Sequence, residues 1–223
     1  MTRFAGAGDL PALRTVWDAC FPGDTAFGGF FFSELYKPEQ ALVFQQDDRV
    51  TGMLHMLPFK RNDGADAAYI YGVGTLPEYR RRGQSAALIT EAARLNDVCF
   101  LIPQEERLFG FYERFGFKTV FYTRGFHADV PANARRAGIE DIPLLDGIYR
   151  DAVDVRVERS ARHWSHIIDD GGIFMWDGGY AVISDGEITE AFGAGTASEI
   201  TGKPLGMANK WPVGSAYLNF MYN

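Results

Sequence analysis

Apolar residues first recur at helical spacing between Leu10 and Phe21, where Leu13, Val16 and Trp17 share one face. Asp9 and Pro11 mark a helix start, and Phe21-Pro22-Gly23 stops it. The aromatic-rich stretch from Thr25 to Tyr36 predicts a second helix. The pattern then turns extended. Ala41 to Gln45 and Val50 to Phe59 predict strands about an Asp47-Asp48 turn, and the β-branched and aromatic run Tyr69 to Leu76 predicts another that ends at Pro77. Helix formers return over Ser85 to Leu95, with Leu88, Ala92 and Leu95 on one face. Val98 to Ile102 is a short apolar strand stopped by Pro103. Glu106 to Phe115 predicts a helix ending at Gly116, followed by strands over Lys118 to Arg124 and Gly125 to Val130. A hairpin combined with strand-helix-strand crossovers predicts an α/β chain of the α+β type, a mixed central sheet with helices on both faces spanning residues 1–131.

After a linker at Pro131-Ala132-Asn133-Ala134 the pattern restarts. Asp141-Ile142-Pro143-Leu144-Leu145 and Ile148-Tyr149 match Asp9-Leu10-Pro11-Ala12-Leu13 and Val16-Trp17. A helix over Ser160 to Ile168, a strand Ile173 to Trp176, the turn Asp177-Gly178-Gly179 and a strand Tyr180 to Ile183 keep the order of the first half. An internal repeat is expected, with a smaller, truncated second domain over residues 132–223.

Composition narrows the function. The chain has 223 residues, is 47% hydrophobic and carries a formal charge of -7, so it can build a core but offers no broad basic surface for nucleic acid. No apolar run approaches the roughly 18 residues of a membrane span. Cys20 and Cys99 lie far apart with no leader ahead of them, and are expected as free thiols in a cytoplasmic protein. His163 and His166 stand three apart on a predicted helix but have no third ligand in view. A surface or capping role is therefore expected, and no metal. Trp17, Trp164, Trp176 and Trp211 are expected in the core.

Against this acidic background, Tyr79-Arg80-Arg81-Arg82-Gly83-Gln84-Ser85 gathers three cations and a glycine between a strand and a helix. Backbone N–H groups, a helix N-terminus and mobile cations there suit a phosphate or pyrophosphate, and Gly83 lets the backbone approach it. A solvated charged loop is the alternative. The sequence has neither the Walker A pattern nor Gly-x-Gly-x-x-Gly at this point.

Arg80-x-x-Gly83-x-Ser85 between strand and helix, followed by Phe111-Tyr112-Glu113-Arg114-Phe115-Gly116-Phe117, resembles the GNAT N-acetyltransferase superfamily. With Pro103-x-Glu105 and the degenerate repeat, it resembles the Eis-like branch. The likeness covers residues 3–130 well and the remainder loosely. Ser85 departs from the family's usual Gly or Ala, and the chain is shorter than typical Eis-like enzymes. The resemblance implies that Arg80, Arg81, Arg82, Gly83, Gln84 and Ser85 hold the pyrophosphate of acetyl-CoA. It also implies that Val73, Gly74 and Thr75 run beside the pantetheine arm, with Gly72 and Gly74 leaving room, and that Tyr112 is the general acid. The implied activity is direct transfer of an acetyl group from the thioester to a primary amine of a small molecule or an exposed amino group. A non-catalytic acyl-CoA-binding or sensor module is the alternative. The base stays open among Glu105, Glu106, Glu34, Asp24 and, as in the Eis-like branch, the terminal carboxylate of Asn223 after an expected strand Ala216 to Met221. The acceptor is expected to meet Phe21 to Tyr36 and parts of the second half.

Overall fold

The structure is a computed structural model and describes residues 1–170, 172–211 and 217–218. Two compact units emerge. One comprises Met1–Phe59, Ala65–Lys118 and Met207–Trp211; the other comprises Lys60–Gly64, Thr119–Gly206 and Pro212–Asn223.

In unit one, β1 (Thr2–Phe4) leads through a 3₁₀ turn to α1 (Leu10–Cys20), which buries Leu13, Val16 and Trp17 as its periodicity predicts. Asp9 does not cap that helix with its side chain. Its carboxylate instead accepts the Gly6 N–H at 2.7 Å and the Arg3 guanidinium at 2.6 and 3.0 Å, which fixes the chain entering α1. The helix expected over Thr25 to Tyr36 is α2 (Thr25–Phe30) followed by a π turn over Phe31–Leu35. β2 (Ala41–Gln46) and β3 (Arg49–Lys60) form the expected antiparallel hairpin, with Asp47 and Asp48 both at positive φ, 50° and 57°. That is the mirror-image turn that suits strand twist and that aspartate tolerates.

All residues from Val50 to Leu57 are buried, because both faces of the sheet are covered. β4 (Asp66–Thr75) leads through the basic loop to α3 (Gln84–Leu95), then to β5 (Val98–Leu101), which lies parallel to β4. Leu88, Ile89 and Ala92 of α3 pack with Leu54, Met56, Ala68, Ile70, Cys99 and Leu101. The helix expected over Glu106 to Phe115 is shorter. A 3₁₀ turn, Glu106–Leu108, precedes α4 (Phe109–Glu113), and Gly116 at φ +81° ends it, where only glycine sits without strain.

The two strands expected after Gly116 are one, β6 (Lys118–Ala128), running straight through Gly125. Unit two then builds β7 (Arg135–Arg136), α5 (Ile142–Ala152), α6 (Ala161–Asp170), β8 (Ile173–Trp176), β9 (Gly179–Ser184), β10 (Glu187–Gly193) and β11 (Thr196–Ala208). The strand order is β1-β2-β3-β4-β5-β11-β6 in one sheet and β7-β8-β9-β10 in the other, so a mixed α/β architecture is observed. Met207 and Ala208 at the end of β11 pair antiparallel with Leu101 and Phe100.

The restart read from the sequence has a geometric counterpart. Arg135 grips Asp141 at 2.7 and 2.6 Å, and the Gly138 N–H reaches the same carboxylate at 2.9 Å, just as Arg3, Asp9 and Gly6 are joined. Both turns read Arg-x-Ala-Gly-x-x-Asp, and both open into an eleven-residue helix with proline in its first turn. The expected strand Ala216 to Met221 and Asn223 fall outside the described residues, apart from Tyr217 and Leu218. Tyr217 forms a parallel bridge with Arg156.

Candidate functional site

β4 and β5 pair only at their starts, Ala67 with Val98, Ala68 with Cys99 and Tyr69 with Phe100. β5 ends at Leu101 while β4 continues to Thr75. Past Tyr69, therefore, β4 offers backbone N–H and C=O groups along an edge where its parallel neighbour has ended, a place for an extended amide-bearing ligand. Gly72 sits in this stretch at φ +56°, a left-handed turn of the backbone in mid-strand. A Cβ there would stand 3.0 Å from the Trp17 ring and 3.1 Å from His55, so glycine serves both the bend and the packing. At Gly74 a Cβ would stand 3.1 Å from Cys20 Sγ, whose thiol reaches the Thr75 carbonyl at 3.3 Å.

The basic loop follows at the end of that strand. Arg80 turns its Nε back onto the Thr75 carbonyl at 3.1 Å, and the Arg82 guanidinium lies 5.3 Å from the Tyr79 ring centroid. Arg81, a residue with a Cβ, is held at φ +63°, and Gly83 at φ +78° is the N-cap of α3 with no side-chain hydrogen bond closing the helix start. Two left-handed residues flank Arg82 in this short loop, a backbone nest of the kind that suits an anion, continuous with the helix N-terminus. Arg80, Arg81, Arg82 and Gly83 are all exposed.

Gln84 is buried. Its amide accepts from Thr51 Oγ1 at 2.9 Å and donates to Gln46 at 3.1 Å, so this side chain ties the loop to β2 and β3. Ser85 Oγ lies 3.0 Å from Thr75 Oγ1, joining the helix start to the strand end. The residues 73–75 and 80–85 singled out in the sequence are thus brought together in one continuous strand, loop and helix start.

Tyr112 lies on α4, 7% exposed, among Ala68, Leu88, Leu101 and Phe117. Burial pushes its phenol up to about 12, so the group holds its proton across the neutral range. The core packing noted for Phe109, Phe111 and Phe115 is observed as well, since all three pack against the same cluster.

The opposite face of β3 and β4 carries rings. Trp17 stacks on Phe31 at 5.0 Å and meets Phe21, Phe27, Phe32 and Tyr71. His55, 1% exposed, is enclosed by Phe31, Phe32 and Tyr36, and burial takes its imidazole down to about 3, so it is neutral. Sequence reading left His55 unpaired and placed Trp17 in the core. The signal that joins them is the alternation His55, Tyr69, Tyr71 on one sheet face beneath the Phe30-Phe31-Phe32 run.

Of the carboxylates considered as bases, Glu34, Glu105 and Glu106 are exposed, with Glu105 paired to Arg107. Asp24 is exposed but near enough to Tyr71 to act on its phenol. At the start of α6, Ser160 Oγ accepts the His163 N–H at 3.2 Å and His163 Nδ1 accepts the Ser160 N–H at 3.1 Å, so His163 takes part in the cap, one of the surface or capping roles expected of it. A separate groove of about 720 Å³ in unit one is lined by Met56, Phe59 and Leu95 with the carboxylates Glu39, Asp66 and Asp97. It lies at the far end of α3 from the basic loop, and its charge is wrong for an anion. Among the described residues, no helix is long and apolar enough to cross a membrane.

The model of the acetyltransferase (GNAT) domain family matches residues 2–120. No curated protein matches. A GCN5-related N-acetyltransferase from Kribbella flavida superposes with a TM-score of 0.69 at 14% identity, over 93% of this chain and 71% of that one. Another from Anabaena variabilis gives 0.67 at 14%, over 93% and 72%. Eis1 from Mycobacterium abscessus gives 0.59 at 20%, over 82% of this chain and 53% of its own. These likenesses are of fold. The family match covers more than half of the sequence and contains the split strands, the nest and Tyr112, and the chain belongs to the GNAT acetyltransferase family.

Proposed function

We propose that the protein is an acetyl-CoA-dependent N-acetyltransferase acting on a primary amine. The observation that carries this reading is the unbroken path from the part of β4 that runs past the end of β5, at Val73, Gly74 and Thr75, into the Arg80–Ser85 nest. That stretch of strand suits the amides of a pantetheine arm, and the nest suits a pyrophosphate at its end. Acetyl-CoA would supply the acetyl group as a thioester. Arg81 and Arg82 add mobile positive charge at the nest, and a β4 N–H beside Gly72 stabilises oxygen charge as the carbonyl is attacked.

In the step itself, the nitrogen–carbon bond forms as the carbon–sulfur bond breaks. The attacking nitrogen gives up a proton to solvent, and the departing thiolate takes one from Tyr112, which is then reprotonated from solvent. An alkylamine with reference pKa near 10.4 must first lose its ammonium proton, about 4 kcal/mol near neutral pH, unless a carboxylate such as Asp24 assists. Whether the terminal carboxylate of Asn223 takes that role lies outside the described residues. In unit two, the repeated Arg-x-Ala-Gly-x-x-Asp turn and the β7-β8-β9-β10 order support a degenerate copy of the first fold, so we expect one acetyl-CoA per chain. A small-molecule amine is the expected partner.

Thermal denaturation with acetyl-CoA tests the binding. A ligand at 100 times its dissociation constant should stabilise by about 2.7 kcal/mol, and Gly83→Asp, which places a carboxylate in the nest, should abolish the shift. No shift in the parent protein refutes the reading. Tyr112→Phe should lower kcat by about 10²-fold or more with the acetyl-CoA shift retained. An unchanged kcat removes Tyr112 from the chemistry, and retained binding with no turnover of any amine favours the non-catalytic module.

A further inference from the structure

The basic loop leaves β4 at Leu76 and enters α3 at Gln84, and both of its ends are fastened to one residue of β3. The Thr51 carbonyl accepts the Leu76 N–H at 2.9 Å, and the Thr51 hydroxyl donates to the Gln84 amide oxygen at 2.9 Å. Thr51 is 0% exposed and Gln84 2% exposed. The hydroxyl has one proton to give, and Gln84 is nearer than its other acceptor, the Phe44 carbonyl at 3.3 Å. The Gln84 amide nitrogen in turn donates to Gln46 Oε1 at 3.1 Å. Gln84, Leu88 and Ala92 are buried at a spacing of four along α3. Packing alone asks for apolar groups in such a stripe, as Leu88 and Ala92 provide. A glutamine at its head is accounted for by the bonds it makes across to the sheet. Gly52 keeps the space for them, since a Cβ there would stand 3.3 Å from Gln84 Oε1, 3.2 Å from the Gly74 carbonyl and 3.4 Å from Thr75 Oγ1.

The loop needs such fastening. Arg81 holds φ +63°, a conformation that a residue with a Cβ keeps only where its surroundings impose it. Within the loop, the Tyr79 N–H reaches the Leu76 carbonyl at 2.9 Å and the Arg80 N–H reaches the Pro77 carbonyl at 3.3 Å, which shapes the first turn and stops short of Arg81. Arg80 to Gly83 are exposed, so the course of their backbone is set from the two ends. At those ends Thr51 is joined to both, and the Ser85 hydroxyl meets that of Thr75. A ligand that requires one loop shape binds in proportion to the fraction of molecules already holding it, so a bond that closes the loop from beneath acts on affinity without touching the ligand.

We infer that Thr51 and Gln84 are positioning residues of the cosubstrate site, the bond between them holding the loop in its anion-binding shape before acetyl-CoA arrives. This rests on the acetyltransferase reading above and adds how the site is formed in advance. The test measures the Kd of acetyl-CoA by titration calorimetry for the parent, Thr51→Val, Gln84→Met, the double variant and Thr51→Ser. Limited trypsin digestion of the same ligand-free proteins, read by mass spectrometry, follows cleavage after Arg80, Arg81 and Arg82. Thr51→Val keeps the carbonyl that holds Leu76 and removes only the hydroxyl. Each single variant should raise Kd by about five- to tenfold and speed loop cleavage several-fold. The double variant should lie within about twofold of Gln84→Met, because both changes break one bond, and Thr51→Ser, which restores the hydroxyl, within about twofold of the parent. A parent-like Kd in Thr51→Val, a raised Kd with loop cleavage unchanged, or single effects that multiply in the double variant overturns the inference and leaves the transferase standing. Should Gln84→Met fail to fold, Thr51→Val and Thr51→Ser decide on the same criteria. Failure of acetyl-CoA to bind the parent overturns both readings.

Discussion

Glu190→Gln is expected to destabilise unit two by about 3–5 kcal/mol, the usual cost of leaving a buried charge without its partner. The Glu190 side chain is 0% exposed and that of Arg159 is 7% exposed. Arg159 donates Nη1 to Oε1 at 2.7 Å and Nη2 to Oε2 at 2.6 Å, while Tyr180 and Tyr217 donate to the same two oxygens at 2.7 and 2.6 Å. Glutamine keeps the shape but replaces one oxygen with an NH₂ group that faces a guanidinium N–H. A tyrosine hydroxyl can rotate to accept from that NH₂; arginine has no acceptor to offer. The guanidinium, stacked 4.1 Å from the Tyr149 centroid and 4.7 Å from that of Trp164, would keep its charge with only ring faces to balance it.

Arg159→Met combined with Glu190→Gln removes both charges and lets the amide serve the two tyrosines, so the pair should cost at least 2 kcal/mol less than the sum of the single variants. Urea denaturation followed by circular dichroism at pH 7 measures all four proteins. Additive costs, or a Glu190→Gln cost below about 1 kcal/mol, would refute the account. The pH dependence has a fixed sign. Burial raises the Glu190 pKa, but the Arg159 charge and the bonds from Arg159, Tyr217 and Tyr180 outweigh it and hold the carboxyl below its ordinary value. Its contribution is then full above the unfolded value of about 4.3 and is lost as pH falls through the folded value, so the gap between parent and Glu190→Gln should close only in that acidic window.

Two further outcomes concern unit one. Gly72→Ala must adopt φ +56° and push a methyl to 3.0 Å from Trp17 and 3.1 Å from His55. A left-handed penalty of about 1 kcal/mol and overpacking of about 1–3 kcal/mol predict a loss of roughly 2–4 kcal/mol and a fall in Tm of about 5–15 °C, read by calorimetry. His55, buried neutral and taken down to about 3, should make the protein less stable as pH drops below the unfolded value near 6.5. The slope should approach about 1.4 kcal/mol per pH unit down to the folded value, and His55→Phe should flatten that slope in acid denaturation curves.

The helices and strands of unit one were legible because each carries its own signal. Leu13, Val16 and Trp17 mark a face, Asp47-Asp48 a turn and Pro77 a stop, and each holds in the structure. The loop between strand and helix was legible for the same reason, since Arg80 to Ser85 are contiguous. What escaped depends on distant contacts. Gly125 reads as a turn, yet β6 passes through it because the neighbouring strand, not the local sequence, sets its course. The partners of the Gln84 side chain are of this kind, since only the fold brings Thr51 and Gln46 to its amide. The rings around His55 come from α1, the α2 region, β3 and β4, and no spacing rule connects residues 17, 31, 55 and 71.

The two ring clusters also bear on what the fold requires. Had the scaffold itself forced unpaired polar atoms among packed rings, both units would show them. Unit two has the same Arg-x-Ala-Gly-x-x-Asp turn and an eleven-residue helix after it, yet it pairs Tyr149, Trp164, Tyr180 and Tyr217 and brings Arg159 and Glu190 in to do so. The open edges at Trp17, Tyr36 and His55, each costing about 1–3 kcal/mol while unpaired, are therefore a property of unit one's side chains and not of its backbone plan. Of the half-buried rings around them, Tyr71 stands on β4, the strand that runs through the bend at Gly72 towards the basic loop, while Phe21, Phe27 and Phe30 come from the end of α1 and from α2.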